Sequence, residues 1–337
     1  MSESSILTAL SALKVVAIGA GTGQARLLSA LAGSTLSLTS IVAVTDNGGH
    51  SGELRREFGI PQVGDGKANL IATATNKKEL IVFSHRHEDG DVRAGVSTGN
   101  LMLADLTRKN GIAAAFRIMG ERLKCRGLVL PATEESVDIV ARLSDGTVIT
   151  GEWNILQRGN RLPIQQMSLS RDVPAYSGAI MALREADVIF ISPGTFHTGV
   201  ISPLLPKGMV DAINVSKATV IMICNMITQP GLTEGWDVLK HVEELHKYLG
   251  RYPDVVIANN QEIPRWILER YHAAGFNVEP VLFHGATSMS HTRWIPHNIV
   301  PPEIDGHGGR AGEFMKSLHL LTHCPRGLQE AIQRALT

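Results

Sequence analysis

The sequence predicts an α/β fold: a Rossmann-like, mainly parallel, doubly wound sheet with an inserted α+β lobe that contains an antiparallel hairpin. The first observation is that short, continuous apolar runs, typical of strands buried on both faces, alternate with segments of helical spacing. The second is that two segments of alternating hydrophobicity flank Asp145-Gly146, a strong hairpin signal. The 337 residues, 44% of them hydrophobic and 19% charged, suit a globular protein with a sizeable core.

The chain opens with a βαβ unit. Residues 14–18 predict a strand that stops at the glycines of 19–23, residues 24–31 have helical spacing, and residues 39–45 predict a second buried strand. The same alternation returns in the second half of the chain. There, strands are predicted at 187–191, 218–224 and 255–258, and helices at about 205–216, 235–249 and 263–273.

We predict one domain over residues 1–337, with the inserted lobe in its middle. The texture changes at 136–143 and 147–154, the two halves of the hairpin, which places the lobe at about 111–178. The Rossmann-like core is then about 14–110 and 179–283, followed by a C-terminal extension at about 284–337. Residues 284–310 are rich in His, Gly and Pro and predict a loop.

The composition argues against several classes of binding partner and cellular location. The formal net charge is zero and no half of the chain is basic, so no nucleic-acid partner is expected. Three cysteines, none in a CxxC pair, fit a reducing compartment and argue against a thiolate zinc site. The first residues lack the pattern of a secretory signal, and the most apolar stretch, 218–227, is too short to span a bilayer. We therefore expect a cytoplasmic protein with no membrane partner.

The glycine turn after the first strand is the first candidate ligand site. Ligands of open α/β sheets bind beyond the carboxyl ends of the strands, and glycines there let the backbone approach a phosphate at a helix N-terminus. The motif is an incomplete G-x-G-x-x-G, because Gln24 and Arg26 occupy the later positions. The alternative is a tight strand–helix turn that binds nothing. The phosphate-binding candidates are Gly19, Gly21, Thr22 and Gly23.

The loop after the second strand is the next candidate. Its glycines suit a loop that wraps an anion with backbone N–H groups. Asp46 stands where a dinucleotide-binding fold places its ribose-reading carboxylate, and with Asp65 it is equally suited to hold Mg²⁺ beside phosphates. The alternative for Asp65 is that it only caps the next helix. The phosphate-binding candidates in this loop are Asn47, Gly48, Gly49 and Ser51.

Three later motifs complete the candidate site. Gly99 and Asn100 open a predicted helix, where Ser97 or Thr98 is alternatively only an N-cap. Gly194 and Thr195 follow a strand, and Asn225 follows another. Beside Thr195, Phe196 either stacks on a ligand or belongs to the core, and His197 is a ligand contact, a general acid or base, or an ordinary surface histidine.

Two histidine-rich segments are weak metal candidates. Their spacings match no helical metal motif, and the charges around the first favour a solvated loop. The residues concerned are His85, His87, Asp89 and Asp91 in the first segment, and His284, His291, His297 and His307 in the second.

These motifs occur together, and in the same order, in one family. The sequence from about 14 to 280 resembles the CofD-like family, which joins 2-phospho-L-lactate transferase with the gluconeogenesis factors. The resemblance rests on the motifs above together with Arg126-Gly127, Leu130-Pro131, Asn154-Ile155 and Thr228-Gln229-Pro230-Gly231. The forms of 45–49 and 225–231 are closer to the gluconeogenesis-factor branch.

The resemblance implies a Rossmann-like core with an inserted lobe, usually in a homodimer, and a nucleoside diphosphate ligand. In the gluconeogenesis-factor branch the ligand is a UDP-sugar of the UDP-N-acetylglucosamine type, and the protein acts in carbon-source use and cell shape. In the transferase branch, a guanosine-linked donor passes a phospholactyl-type group to a deazaflavin alcohol with magnesium. There the acids that match Asp46 and Asp65 are the catalytic and metal-binding candidates.

Three motifs depart from the family pattern. Val96 replaces a histidine, His197 replaces a tyrosine that contacts the nucleotide sugar, and Lys67-Ala68 replaces an Arg-Asn pair. These changes bear on the substrate more than on the fold. A third function, a nicotinamide dehydrogenase, agrees with the order of strand, glycine turn, helix and Asp46. The third glycine, however, falls one residue early for that motif.

Overall fold

A computed structural model describes residues 10, 12–34, 37–87, 95–158, 162–284, 291–302 and 321–337. The strands are β1 Lys14–Gly19, β2 Ser37–Val42, β3 Leu128–Pro131, β4 Ile139–Leu143, β5 Val148–Thr150, β6 Ile164–Leu169, β7 Val188–Ile191, β8 Thr219–Ile223, β9 Val255–Asn259 and β10 Arg293–His297. The helices are α1 Gly21–Leu31, α2 Gly49–Phe58, α3 Gly64–Thr73, α4 Lys77–Ser84, α5 Thr98–Asn110, α6 Ile112–Leu123, α7 Glu152–Gln157, α8 Ser177–Arg184, α9 Met209–Val215, α10 Val238–Leu249, α11 Arg265–Ala273 and α12 Pro325–Leu336. A π-helical turn, Phe196–Ile201, and a 3₁₀ turn, Ser202–Leu204, precede α9.

The main sheet has seven strands in the order β10-β9-β8-β7-β1-β2-β3, and all of its pairs are parallel. The chain runs outward from β1 to β2 and β3, and later returns to the other side of β1 with β7. Ala17 on β1 is thus paired with Ser40 on one side and with Phe190 on the other. This topological switch point between β1 and β7 is the feature of doubly wound sheets where ligands bind. The predicted fold class is confirmed.

Strand β1 shows why the apolar runs do not alternate. Val16 and Ile18 face one core cluster, whereas Val15 and Ala17 face the cluster on the other side of the sheet. Helices cover both faces, so every position of the strand is buried except Lys14. An unalternated apolar run is what such a strand requires.

The predicted hairpin is also present. β4 pairs antiparallel with β5 and with β6, and these three strands form a small separate sheet. At the turn, Asp145 Oδ1 accepts a hydrogen bond of 2.9 Å from the Thr147 N–H, and Gly146 has a φ of +88°. The Asp-Gly pair therefore makes the turn for the physical reason that predicted it.

Two strands differ from the sequence expectation. Strand β3 falls within the range 111–178 that was assigned to the inserted lobe, yet it pairs in parallel with β2. It has only four residues, and a strand this short has no readable periodicity. The prediction of a loop across 284–310 is wrong for β10, which pairs with β9 at the sheet edge. Pro296 made this strand hard to recognise in the sequence, because proline is rare in strands, but an edge strand tolerates it.

A buried amide fixes α1 to the sheet. The Gln24 Nε2 atom donates to Ala17 O at 3.2 Å, to Ser40 Oγ at 3.0 Å and to Ile41 O at 3.0 Å, which ties the helix to β1 and β2. From α3, Asn69 Nδ2 donates to the same Ser40 Oγ at 2.9 Å. These contacts set the N-terminal turns of α1 and α3 beside each other.

The last helix, α12, packs against α1 on the side of the sheet that carries Val15 and Ala17. Leu328, Ala331 and Ile332 are buried there, and Gln329 Nε2 donates to Ala30 O at 2.9 Å. The part of the chain covered by the structure includes no helix with the length and apolarity needed to cross a membrane.

Candidate functional site

A cavity of about 280 Å³ lies at the carboxyl edge of the main sheet, over the switch point between β1 and β7. Its walls follow the strand order, because each strand delivers its following loop to this edge. Eight of the residues predicted for the site line the cavity. They are Gly21, Thr22, Gly23, Asp46, Asp65, Gly194, Thr195 and Asn225.

The glycines of the turn have two different physical roles. Gly21 has a φ of +65°, and a Cβ atom there would meet nothing within 4 Å. A Cβ atom at Gly23 would lie 2.0 Å from the Pro193 carbonyl oxygen, so this glycine lets the loop after β7 approach α1. Gly19 allows a similar approach, since its Cβ would lie 2.8 Å from Ser192 Cβ. Helix α1 begins after Ala20 with no side-chain cap, which leaves its first turn suited to an anion.

Two of the predicted carboxylates occupy one end of the cavity. Burial raises the pKa of Asp46, although the Gly48 N–H donates to its Oδ1 at 2.8 Å. Burial, and then the charge of Asp46, raise the pKa of Asp65 to about 7, although the Gly21 N–H donates to it. The Asp65 side chain thus contacts the first turn of α1, and α3 begins after Val63 without a side-chain cap.

A third acid, Glu152, was not among the predicted residues. It begins α7, lines the cavity, and has a pKa raised well above the ordinary value by burial and by the charges of Asp46 and Asp65. The Thr198 side chain hydrogen-bonds to it and opposes this shift. The sequence held one signal, because the family motif Asn154-Ile155 lies in the same short helix.

These three carboxyl groups could hold a divalent cation only together with oxygen atoms of a ligand or of water. Among the described residues that line the cavity there is no Lys or Arg to offset them. Throughout the described residues, no three His, Cys, Asp or Glu side chains are arranged to hold a metal ion by themselves. Magnesium commonly takes one or two protein carboxylates and completes its shell with phosphate oxygens and water. Asp46, Asp65 and Glu152 are the side chains that would hold it.

Two amides after β8 hold the turn after β7. Asn225 Nδ2 donates to Gly194 O at 2.9 Å, and the Gly194 N–H donates to Asn225 Oδ1 at 3.3 Å. Gln229 Oε1 accepts from the Phe196 N–H at 3.3 Å, and its Nε2 donates to Thr195 Oγ1 at 3.1 Å. Gln229 also lines the cavity and was missed as a site residue, although its motif was recognised.

The rest of the loop after β2 turns away toward the lobe. Asn47 Oδ1 accepts from the Trp153 N–H at 3.0 Å, and a Cβ atom at Gly48 would lie 2.8 Å from the Trp153 ring. Helix α2 begins at Gly49 and includes Ser51. Asn47, Gly48 and Gly49 do not line the cavity; the first two join the loop to α7.

The structure does not bring Gly99 and Asn100 to the cavity. A Cβ atom at Gly99 would lie 2.5 Å from Phe83 O, so this glycine allows α5 to pack against α4. Ser97 caps α5, since its Oγ accepts from the Asn100 N–H at 3.2 Å. Lys67 donates to the same Ser97 Oγ at 2.9 Å, and burial lowers the pKa of this lysine to about 8.

His197 also lies away from the cavity lining. It is buried in a cluster of edge-to-face rings with Phe196, Trp236 and His241, whose centroids are 5.1–5.6 Å apart. Burial lowers the pKa of His197 to about 3 and that of His241 to about 4, so both rings are neutral. Phe196 is a core residue, which is one of the two alternatives predicted for it.

The histidine-rich segments show no metal centre among the described residues. His85 and His87 are near each other, with ring centroids 5.8 Å apart, and His297 Nε2 lies 3.2 Å from Glu330 Oε2. Asp89, Asp91 and His307 lie outside the described residues.

Comparison with known proteins agrees with the family resemblance of the sequence. The sequence profile of the family described as 2-phospho-L-lactate transferase CofD matches residues 15–292. A putative gluconeogenesis factor of Thermotoga maritima is 40% identical over 266 residues, covering 78% of this chain and 84% of the relative. The gluconeogenesis factor of Bacillus subtilis is 35% identical over 263 residues, with 77% and 82% covered.

A solved structure extends the likeness over nearly the whole fold. The crystal structure of a Bacillus halodurans protein superposes with a TM-score of 0.82 at 32% identity, covering 95% of this chain and 99% of that one. With a family profile that spans most of the described core, and relatives that cover more than two thirds of the chain, the protein belongs to the CofD family, among relatives named gluconeogenesis factors.

Proposed function

We propose that this protein is a regulator of the gluconeogenesis-factor type that binds a UDP-sugar, such as UDP-N-acetylglucosamine, with Mg²⁺. The observation that carries the proposal is the cavity over the switch point, where the start of α1 lies beside Asp46, Asp65 and Glu152 and its Gly21 N–H donates to Asp65. A helix start favours a diphosphate, whereas carboxylates repel it. A divalent cation between the two reconciles these charges, and its role here is to neutralise the diphosphate.

The names of the relatives support a part in carbon metabolism. The cavity supports ligand binding by itself, and the regulatory role in carbon-source use and cell shape belongs to the proposal. A binding protein needs no acceptor site, and the chain departs from the family pattern at Lys67-Ala68, next to Asp65.

Isothermal titration with UDP-N-acetylglucosamine, with and without Mg²⁺, tests this function. We expect a dissociation constant in the range of about 1–100 μM with Mg²⁺, and at least about tenfold weaker binding without it, a difference of about 1.4 kcal/mol. Asp46→Asn should lose the Mg²⁺ dependence, whereas Asp211→Asn, at an exposed position of α9, should retain it. No heat and no thermal stabilisation with any uridine or guanosine diphosphate compound would falsify the proposal.

A second candidate is a magnesium-dependent transferase, and Glu152 is the observation that favours it. Three acids at the diphosphate end are more than a binding site needs, and a cation held by them can offset the charge that develops on a nucleotide leaving group. In such a reaction the alcohol oxygen of a deazaflavin acceptor bonds to phosphorus, and the guanosine nucleotide leaves.

Mass spectrometry of the protein mixed with a guanosine-linked phospholactyl donor, a deazaflavin alcohol and Mg²⁺ would detect the transferred product. The transferase requires product that depends on Asp46, Asp65 and Glu152. Binding of the donor without product in repeated incubations selects the regulatory function instead.

A further inference from the structure

The two ends of the cavity differ in chemistry. The end near the loops after β1 and β2 carries Asp46, Asp65 and Glu152. The end beyond β8 is lined by Ile227, Tyr271, Val278 and Leu321. Tyr271, Val278 and Leu321 are buried in the core cluster between the sheet and α12, and Ile227 packs against that cluster. The second end is therefore apolar and suits an uncharged group.

Residues 321–323, here called the C-terminal segment, form one wall of the apolar end. Three hydrogen bonds hold this segment and the residue that follows it. The Leu321 N–H donates to Tyr271 Oη at 2.8 Å, His323 Nε2 lies 3.1 Å from Cys224 O, and the Cys324 N–H donates to Ile299 O at 2.9 Å. Because α12 begins at the next residue and packs on α1, the segment is held as a rigid part of the cavity.

His323 is buried, and its polar atoms have defined roles. Burial lowers the pKa of His323 to about 4, so the ring is neutral at physiological pH. A carbonyl oxygen only accepts, so Nε2 carries the proton that faces Cys224 and Nδ1 is the acceptor of the ring. Beside it, half-buried Thr322 adds a hydroxyl to the cavity wall. An apolar slot with one acceptor and one hydroxyl matches the face and the N–H edge of a heterocycle.

We propose that the C-terminal segment is the wall of a nucleobase subsite, in which His323 and Thr322 read the edge of the base while the diphosphate lies at the glycine turn. This inference rests on the proposed binding of a nucleoside diphosphate. The segment lies beyond residues 15–292 that the family profile matches. The residues that determine the base are thus separate, in sequence and in the cavity, from the motifs that define the family.

Titration calorimetry of UDP, GDP and inorganic pyrophosphate, each with Mg²⁺, tests the subsite with the full chain. His323→Gln retains an N–H donor for Cys224 but lacks the Nδ1 acceptor, and Thr322→Phe fills the apolar end. We expect each variant to bind its preferred nucleotide at least about tenfold more weakly, or about 1.4 kcal/mol, while pyrophosphate affinity changes by less than about twofold. Arg326→Ala, on the exposed side of α12, is the control and should change neither.

The outcomes separate the two proposals. Equal losses for nucleotide and pyrophosphate, or unchanged nucleotide affinity in folded Thr322→Phe, overturn the subsite. Pyrophosphate binding by the wild type with no gain from either base overturns the subsite but not the diphosphate site. If the wild type binds none of the three compounds, the proposed function fails, and the subsite fails with it. Circular dichroism melts identify variants that are folded, and His323→Gln covers the case in which Thr322→Phe is not.

Discussion

Asn225 holds Gly194 by both backbone polar groups, donating to its carbonyl oxygen at 2.9 Å and accepting from its N–H at 3.3 Å. The side chain thereby copies a strand pairing one step beyond the ends of β7 and β8. It fixes the turn that faces the first turn of α1 across Gly23, and so sets the width of the cavity.

Asn225→Ala should therefore weaken ligand binding more than folding. The loss of two hydrogen bonds, each worth about 1 kcal/mol, frees the Gly194 turn, and we expect nucleotide affinity to fall about tenfold. Asn214→Ala is a matched control, since Asn214 donates to a single carbonyl, Leu249 O, away from the cavity. Calorimetry and thermal melts of the two variants test this prediction. A larger loss of affinity in Asn214→Ala than in Asn225→Ala would refute the role of Asn225 in holding the Gly194 turn.

The raised pKa of Asp65 predicts that the proposed magnesium binding depends on pH. Its pKa of about 7 means that the carboxylate form, which a cation needs, increases as the pH rises from 6 to 8. Magnesium affinity, measured by titration, should rise over that interval in the wild type and much less in Asp65→Asn. An identical pH profile in the two proteins would contradict the assignment of Asp65.

The same pKa predicts a stability effect. The folded state binds the Asp65 proton more tightly than the unfolded chain does, so the ligand-free protein loses stability as the pH rises from about 4 to about 7. Asp65→Asn removes this loss, and we expect its melting temperature at pH 8, without magnesium, to exceed that of the wild type. Asp211→Asn should not show the gain. A melting temperature for Asp65→Asn below that of the wild type at pH 8 would contradict the conclusion that the ionised Asp65 destabilises the ligand-free fold.

Gly21 and Gly23 of the turn should respond differently to alanine. At Gly23 the new methyl would lie 2.0 Å from Pro193 O, a backbone atom that cannot move aside, and we expect a loss of at least about 3 kcal/mol in unfolding free energy. At Gly21 the space is open, and only the left-handed backbone costs about 1 kcal/mol. Urea denaturation of the two variants measures both values; equal losses would show that packing at Gly23 is not limiting.

The buried ring cluster should make the fold sensitive to acid. His197 has an unfolded pKa near 6.5 and a folded value of about 3, so its contribution is complete above pH 6.5 and is lost as the pH falls toward 3. His197→Phe cannot take up the proton, and we expect its stability to fall less between pH 7 and pH 5 in urea denaturation. His85→Phe, at an exposed position, should keep the wild-type response. A steeper fall in His197→Phe would refute the explanation.

Most of the cavity residues that were predicted share one property: their motifs follow strands of the parallel sheet. Asp65, which begins α3 after helix α2, is the exception. Gly21, Asp46, Gly194 and Asn225 come after β1, β2, β7 and β8, and parallel strands bring such loops to one edge. Gly99 has a similar motif, but the segment before it follows helix α4, so it does not reach that edge. A motif alone did not distinguish these cases. The preceding element explains Gly99, whereas Asp65 reaches the cavity because α3 lies beside the start of α1.

Other features depended on long-range packing that local patterns do not contain. Glu152 reaches Asp46 only because the lobe folds back, with Arg55 on α2 paired to Asp138 at 2.8 Å. The ring of His197 is buried by Trp236 and His241, which lie far along the chain. Gly23 was expected to admit a phosphate, but its missing side chain makes room for Pro193.

The hydrogen bond from Gln329 to Ala30, which spans 299 residues, has a consequence for biosynthesis. The glycine turn is translated near the beginning of the chain, but the wall at 321–323 and the helix that anchors it are translated near residue 337. While residues 321–323 are still missing from a ribosome-bound chain, the glycine turn of residues 19–23 is present but the cavity lacks one of its walls. A ligand of the cavity would therefore stabilise only chains in which residues 321–323 and α12 are already in place.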